Sequence, residues 1–272
     1  MNDTMGYMVD THFHLLEMAK RGVDCSSLLE QIEQLGFSGG MDIGSGCCDV
    51  QERLLLVQGH PSIKIAAGIG PWGAQGDNDI ISLVRTSAAT WEHVPIDCIG
   101  EIGLDNYWKY GTVERQMQLF LYQLDIANEL HLPVSIHMRD ADEQLKAVLD
   151  SREFPFGGIL HCFSSHLKIA RKACDKGLYV SFAGNITYRN NGPLRDVFCS
   201  IPLSSILLET DSPYLSPEPL RGKTNTCEHI VHTYHYCANL LGIETELLAK
   251  TVKANFERLT GCYGKHAVTG VR

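Results

Sequence analysis

The chain alternates eight times between a short apolar run and a stretch whose apolar residues recur at helical spacing. The first run, "VDTHFH" at 9–14, precedes a predicted helix over 24–36 that Gly36 ends. Runs at 39–45, 63–70 and 95–105 are followed by predicted helices over 50–58, 79–89 and 113–130. Further runs at 133–138, 157–163 and 178–185 precede predicted helices over 140–150, 166–177 and 193–200. The last run, 204–215, leads to two predicted helices near 228–240 and 244–258. Several runs are apolar at both alternating positions, as parallel strands covered on both faces require. Eight βα units in uninterrupted series predict an α/β fold, a (β/α)₈ TIM barrel. A doubly wound open sheet is the alternative, because periodicity does not report closure. The first run lacks the glycine-rich turn of a dinucleotide site. With no linker or composition break, one domain is expected over 1–272, with a core of about 6–261 and a short C-terminal tail.

In such a barrel, chemistry gathers where strands end and the following loops begin. His12 and His14 close the first run, and strand alternation sends both to one face. Glu101 and Asp105 end the fourth run, His137 and Arg139 the fifth, His161 the sixth, and Glu209 and Asp211 the eighth. A lone strand histidine is more often a hydrogen-bonded core residue than a ligand. Repeated placement of costly polar groups at the same end of apolar runs is better explained jointly, by metal ligation. Four histidines and two carboxylates suffice for a pair of divalent cations. Mixed imidazole and carboxylate donors suit Zn, Mn, Fe or Ni better than a calcium cage.

Composition narrows the partners. A net charge of −9 argues against a broad basic face that grips long nucleic acid by counterion release. Any phosphate site must therefore be local. The ten cysteines are spread along the chain without a CxxC pair, and Cys47 and Cys48 are adjacent, so reduced and mostly buried thiols are expected. The sequence shows neither an apolar stretch near the roughly 18 residues of a membrane span nor a basic, apolar leader, which makes a cytoplasmic protein the default expectation.

The segments "VDTHFH", "GEIGLDNYW", "IHMRDA", "HCFSS", "GNITYRN" and "ETDSPYL" occur in the order of the successive signatures of the TatD metal-dependent deoxyribonucleases. The chain resembles that family over nearly its whole length. The resemblance implies a barrel of the amidohydrolase type with His12, His14 and Asp211 at one metal, His137 and His161 at the other, and Glu101 bridging. It also implies Mg²⁺, Mn²⁺ or Zn²⁺ and nuclease action, often from the 3′ end of DNA. The chemistry is consistent: water between two cations loses its proton readily, and the ions stabilise charge on phosphoryl and leaving oxygens. Asp211 could orient that water or take its proton. The ions, less the charge of Glu101 and Asp211, leave a focus of roughly +2 inside an acidic protein, which reconciles its net charge with a phosphodiester substrate.

Arg139 is a candidate phosphate contact, since guanidinium matches phosphate bidentately, although an ion pair with a ligand would explain it equally. Arg221 and Lys223, on the "PLRGKTN" loop, could meet a nucleotide backbone or simply be solvated. Tyr107 and Trp108 could stack a base, though aromatics at such positions more often pack. Two positions depart from the family's pattern: Gly70 stands where a histidine is usual in Gly-x-His-Pro, and Thr226 where glutamate commonly follows the asparagine. These departures remove substrate or proton-transfer partners, for which a nearby residue such as His166 could compensate. His229, His232 and His235 drift by about 60° per three-residue step on a helix and are read as surface residues, as are His60, His93, His131 and His266 at helix or loop ends.

Phosphodiester hydrolysis, of DNA first, is the leading reading. Its rivals are a small-molecule amidohydrolase, lactonase or phosphoesterase on the same barrel, and a metal-binding homologue with little turnover. The carbamylated lysine that often bridges metals in small-molecule relatives has no counterpart at these strand ends, where the bridging position reads Glu101. A monomer is the default for a barrel of this kind.

Overall fold

The computed structural model describes residues 6–44, 46 and 49–261. In chain order, β1 (Asp10–Phe13) leads to α1 (Leu15–Lys20) and α2 (Cys25–Gln34), and β2 (Gly40–Ile43) leads to α3 (Val50–Leu56). β3 (Ile63–Ala67) is followed by α4 (Ile80–Trp91), β4 (Cys98–Asp105) by α5 (Val113–Glu129), and β5 (Val134–Arg139) by α6 (Asp142–Ser151). β6 (Gly158–Leu160) precedes α7 (Leu167–Asp175), and β7 (Leu178–Phe182) precedes α8 (Gly192–Ser200). β8 (Ile206–Leu208) is followed by α9 (Ile230–Leu241) and α10 (Thr245–Gly261).

The strands form one parallel sheet in the order β1 to β8. Its two ends meet. Thr11 Oγ1 donates to Leu208 O at 3.1 Å, Asp211 N to His12 O at 2.9 Å, and His14 N to Ser212 O at 2.8 Å. Closure thus runs through the chain just past β8, and the same bonds bring His12, His14 and Asp211 side by side. The expected barrel is present, nearly closed, with the open-sheet alternative excluded.

Helix periodicity translates directly into packing. α2 buries Cys25, Leu28, Leu29 and Ile32, an i, i+3, i+4, i+7 stripe, and its cap Asp24 accepts from Ser27 N at 3.1 Å. α1 was not among the predicted helices: it has six residues, starts directly after His14, and lacks a side-chain cap. Its first amide, Leu15 N, donates instead to buried Asp42 on β2 at 2.8 Å. Arg53 of α3, 1 % exposed, pairs with Asp42 Oδ2 at 3.0 Å and donates to Ala66 O at 2.7 Å. A long-range polar link therefore anchors the chain at the exit of β1.

The seven cysteines among the described residues are unpaired, and Cys25, Cys98, Cys227 and Cys237 are buried. Cys47, Cys48 and His266 lie outside the described residues. Among the described residues no helix is long and apolar enough to cross a membrane.

Candidate metal centre

Each strand-end residue arrives by a short route. His12 is within β1 and His14 one residue beyond it; Glu101 and Asp105 lie on β4, and His137 on β5. His161 immediately follows β6, while Glu209 and Asp211 follow the short β8 rather than ending it. Between the two acids of β4, Gly103 has φ +143°, and a Cβ there would stand 2.0 Å from His137 O. A side chain at 103 would push β4 and β5 apart, so glycine permits the approach of Glu101 to His137.

The side chains converge. His12 Nε2 is 3.2 Å from His14 Nε2. Asp211 Oδ1 lies 3.4 Å from His14 Nε2 and 3.8 Å from His12 Nε2. On the other side, Glu101 Oε1 is 2.6 Å from His137 Nδ1 and 2.8 Å from His161 Nε2. Glu101 Oε2 faces the first pair, at 3.7 Å from His12 Nε2 and 4.0 Å from His14 Nε2. One carboxylate thus has an oxygen directed to each half of the cluster. His12, His161 and Glu209 form a third close group.

The outer ring nitrogens explain the inner ones. His14 Nδ1 donates to Ile43 O at 3.0 Å, His161 Nδ1 to Glu209 Oε1 at 3.3 Å, and His137 Nε2 to Asp105 Oδ2 at 3.1 Å. His12 Nδ1 faces Ser135 Oγ at 3.5 Å. Protein groups that bind the outer nitrogen fix the tautomer and leave the inner nitrogen's lone pair turned to the centre, the arrangement usual around metal-bound imidazoles. Inner nitrogens 3.2 and 3.3 Å apart would then repel unless a cation or proton stood between them. The donor set fits divalent metal ions on that ground.

The electrostatics of these side chains follow from the same convergence. Burial opposes charge on Glu101, but His161 and His137 outweigh it and hold the carboxyl well below its usual range. Burial also opposes charge on His161, yet Glu101 and Glu209 hold its pKa well above the ordinary imidazole value. His137 is raised in the same way, with burial overcome by Glu101 and Asp105. Burial together with the neighbouring His161 and His14 lowers His12 and favours the neutral, ligand-competent ring.

Further polar groups hold this frame. Asp10 accepts from Thr210 N at 2.9 Å and from Thr210 Oγ1 at 2.6 Å, and burial pushes its pKa up to about 8. Asn225 Nδ2 donates to Thr210 O and Tyr214 O at 2.9 and 2.6 Å, pinning the chain on both sides of Asp211. Asp211 and Cys162 have φ of 52° and 44°, left-handed values that cost a non-glycine residue energy and recur at functional sites.

The centre opens into a cavity of about 750 Å³ whose wall includes His14, Glu101, His137, Arg139, His161 and Asp211. Arg139 lies over Tyr107, 4.0 Å from the ring centroid, and both Tyr107 and Trp108 are exposed rather than packed. Arg221 and Lys223 are not among the wall residues; Arg221 stacks on Tyr188 at 4.4 Å. Thr226 caps the turn Cys227–His229 and its N–H donates to His229 Nδ1 at 3.3 Å, so His229 is engaged in capping, away from the centre. His166 precedes α7 and is not on the cavity wall, and the space beside Gly70 is taken by Trp72. The room left by the missing side chain at position 70 thus holds an aromatic ring. Trp72 and Tyr110 also stand on this wall, and of the two only Trp72 has a signal in the sequence, the "GPWG" turn at 70–73.

The family model described as "TatD related DNase" matches residues 9–261. The chain belongs to the TatD family. It is 34% identical over 262 residues to the uncharacterized metal-dependent hydrolase YcfH of Escherichia coli strain K12, covering 93% of this chain and 95% of that protein. It is 32% identical over 238 residues to the "3'-5' ssDNA/RNA exonuclease TatD" of Citrobacter koseri, covering 83% and 88%. The solved structure of YJJV, a TatD homolog from Escherichia coli k12, superposes with a TM-score of 0.85 at 26% identity over 96% of this chain and 99% of that one. An organophosphorus hydrolase from Deinococcus radiodurans, 12% identical with a TM-score of 0.65, shares the fold alone. As a TatD-family protein the chain is a metal-dependent hydrolase, and its strand-end histidines and carboxylates are groups able to bind the metal.

Proposed function

We propose that this protein hydrolyses phosphodiester bonds in nucleic acid, DNA first, using two divalent cations. The observation that carries the reading is the set of four imidazoles whose inner nitrogens meet two carboxylates at the base of an open cavity, each with its outer nitrogen facing a polar protein group. His12, His14 and Asp211 would hold one ion, His137 and His161 the other, with Glu101 shared through its two oxygens. Mg²⁺, Mn²⁺ and Zn²⁺ are the candidates. When bound, such ions supply Lewis acidity to phosphoryl oxygens and acidify water.

The chain's own residues do the rest. Asp211, on the cavity wall and only partly buried, is placed to orient an attacking water and accept its proton. Glu101 stays ionised through the pairing that lowers its pKa. Arg139 supplies a planar cation for a non-bridging phosphate oxygen, held in place by Tyr107. Arg221 and Lys223, outside the cavity wall, would meet only a longer strand. The Citrobacter relative's name as a single-strand exonuclease supports the same substrate class here. We place the activity in a single-domain monomer working in the cytoplasm.

The test is nucleotide release from short single-stranded DNA with Mg²⁺, Mn²⁺ or Zn²⁺, with and without chelator, in the wild type and in Glu101→Ala. Metal-dependent release is expected in the wild type, with a loss of about a thousandfold or more in the variant. No cleavage of any phosphodiester by the wild type with any of these ions would overturn the reading.

A further inference from the structure

Gly70 has no side chain, and Trp72 occupies the room this leaves. A Cβ on Gly70 would lie 2.2 Å from Cη2, 2.3 Å from Cζ2 and 2.5 Å from Cζ3 of the indole. The six-membered ring rests against the backbone of residue 70, so any larger residue there must displace it. The turn Pro71–Ala74 presents the ring at the end of β3. Trp91 is a core residue at 2 % exposure, whereas Trp72 is half-buried and lines the cavity of the candidate metal centre. Tyr110 lines the same cavity and meets Trp72 edge to face, with ring centroids 6.2 Å apart at 81°.

The cavity lining therefore combines the imidazoles, the carboxylates and Arg139 with aromatic rings, Trp72 from the loop after β3 and Trp108 and Tyr110 from the loop after β4. Phosphate and a planar heterocycle within one ligand is the chemistry of a nucleotide. A bare sugar phosphate or a simple phosphoester has no π face to stack on these rings.

We propose that Trp72, admitted by Gly70 and braced by Tyr110, is the specificity-determining surface of a nucleobase-stacking subsite beside the metal centre. The inference rests on the reading that the substrate is a nucleotide phosphodiester and names the part of that substrate this chain selects. Stacking tolerates all four bases, because each has a π face, and requires a base not already stacked on both sides.

The experiment is isothermal titration of the full-length, Mn²⁺-loaded protein with deoxyadenosine monophosphate and, separately, with 2-deoxyribose 5-phosphate, which lacks the base. Wild type is expected to prefer the nucleotide by about ten- to a hundredfold, the range that loss of one base–aromatic stack spans. Trp72→Ala should bring the ratio of the two affinities close to one, and Trp72→Phe should keep most of it. Gly70→Ala approaches the indole from the backbone side and should reproduce Trp72→Ala, with thermal unfolding confirming that each variant is folded. Equal affinities in the wild type, or a preference that survives in both Trp72→Ala and Gly70→Ala, would overturn the proposal. The measurement needs no turnover: a protein that cleaved no DNA yet kept a Trp72-dependent base preference would overturn the proposed activity and sustain the subsite.

Discussion

Each histidine proposed as a ligand has a second residue against its outer nitrogen, which turns the other nitrogen inward. Asp105 binds His137 Nε2 at 3.1 Å and also accepts from Trp108 N at 2.8 Å. Asp105→Ala should weaken metal binding about 10- to 100-fold while circular dichroism remains that of the wild type; competition with a chromophoric chelator measures it, and unchanged affinity would show that Asp105 does not orient the ring. At this scale the six proposed ligands were legible because an ionisable side chain closing an apolar run is costly unless something binds it. Trp72 was not legible in the same way. Its place depends on a turn bringing an indole back over a residue two positions earlier, a contact that periodicity does not encode. The missing side chain at Gly70 was visible, but what filled the space was not.

Among the elements, the exit of β1 is the point most exposed to mutation. Asp42 of β2 accepts from Leu15 N at the start of α1 and is itself held by Arg53 of α3, all inside the core. Removing one partner leaves a buried charge uncompensated. Arg53→Met is therefore expected to destabilise the protein by roughly 3–5 kcal/mol in chemical denaturation, and a change below about 1 kcal/mol would show that the pair does not anchor this corner. The eight strands and most helices could be read from spacing, since an i, i+3, i+4, i+7 stripe such as Cys25, Leu28, Leu29 and Ile32 has one favourable way to pack. The short α1 could not, because its N-terminal amide is satisfied by a residue from another strand rather than by a local cap. For the same reason the run at 204–215 reads longer than β8: its second half is held by Asp10, Asn225 and β1 instead of by sheet pairing.

For the molecule as a whole, a net charge of −9 and a cavity with Arg139 on its wall concentrate the proposed phosphate recognition at one locus. Affinity for single-stranded oligonucleotide should fall only gently with salt, with a log–log slope no steeper than about −2, since each neutralised phosphate contributes about −0.7. A slope several times steeper, measured by titration across 50–200 mM salt, would reveal a basic track along the surface and contradict this localisation. Barrel closure and the candidate centre are built by the same bonds. The bonds from Asp211 N to His12 O and from His14 N to Ser212 O join the sheet's ends and assemble half of the candidate centre.

The most direct test of that assembly is a crystal structure of the protein grown with Mn²⁺, read by anomalous diffraction. Two anomalous peaks are expected, one beside the inner nitrogens of His12 and His14 with Asp211, one beside those of His137 and His161, each within about 2.0–2.3 Å of its nitrogen ligands and both in contact with Glu101. Density without an anomalous peak between these side chains, or ions bound only elsewhere, would contradict it.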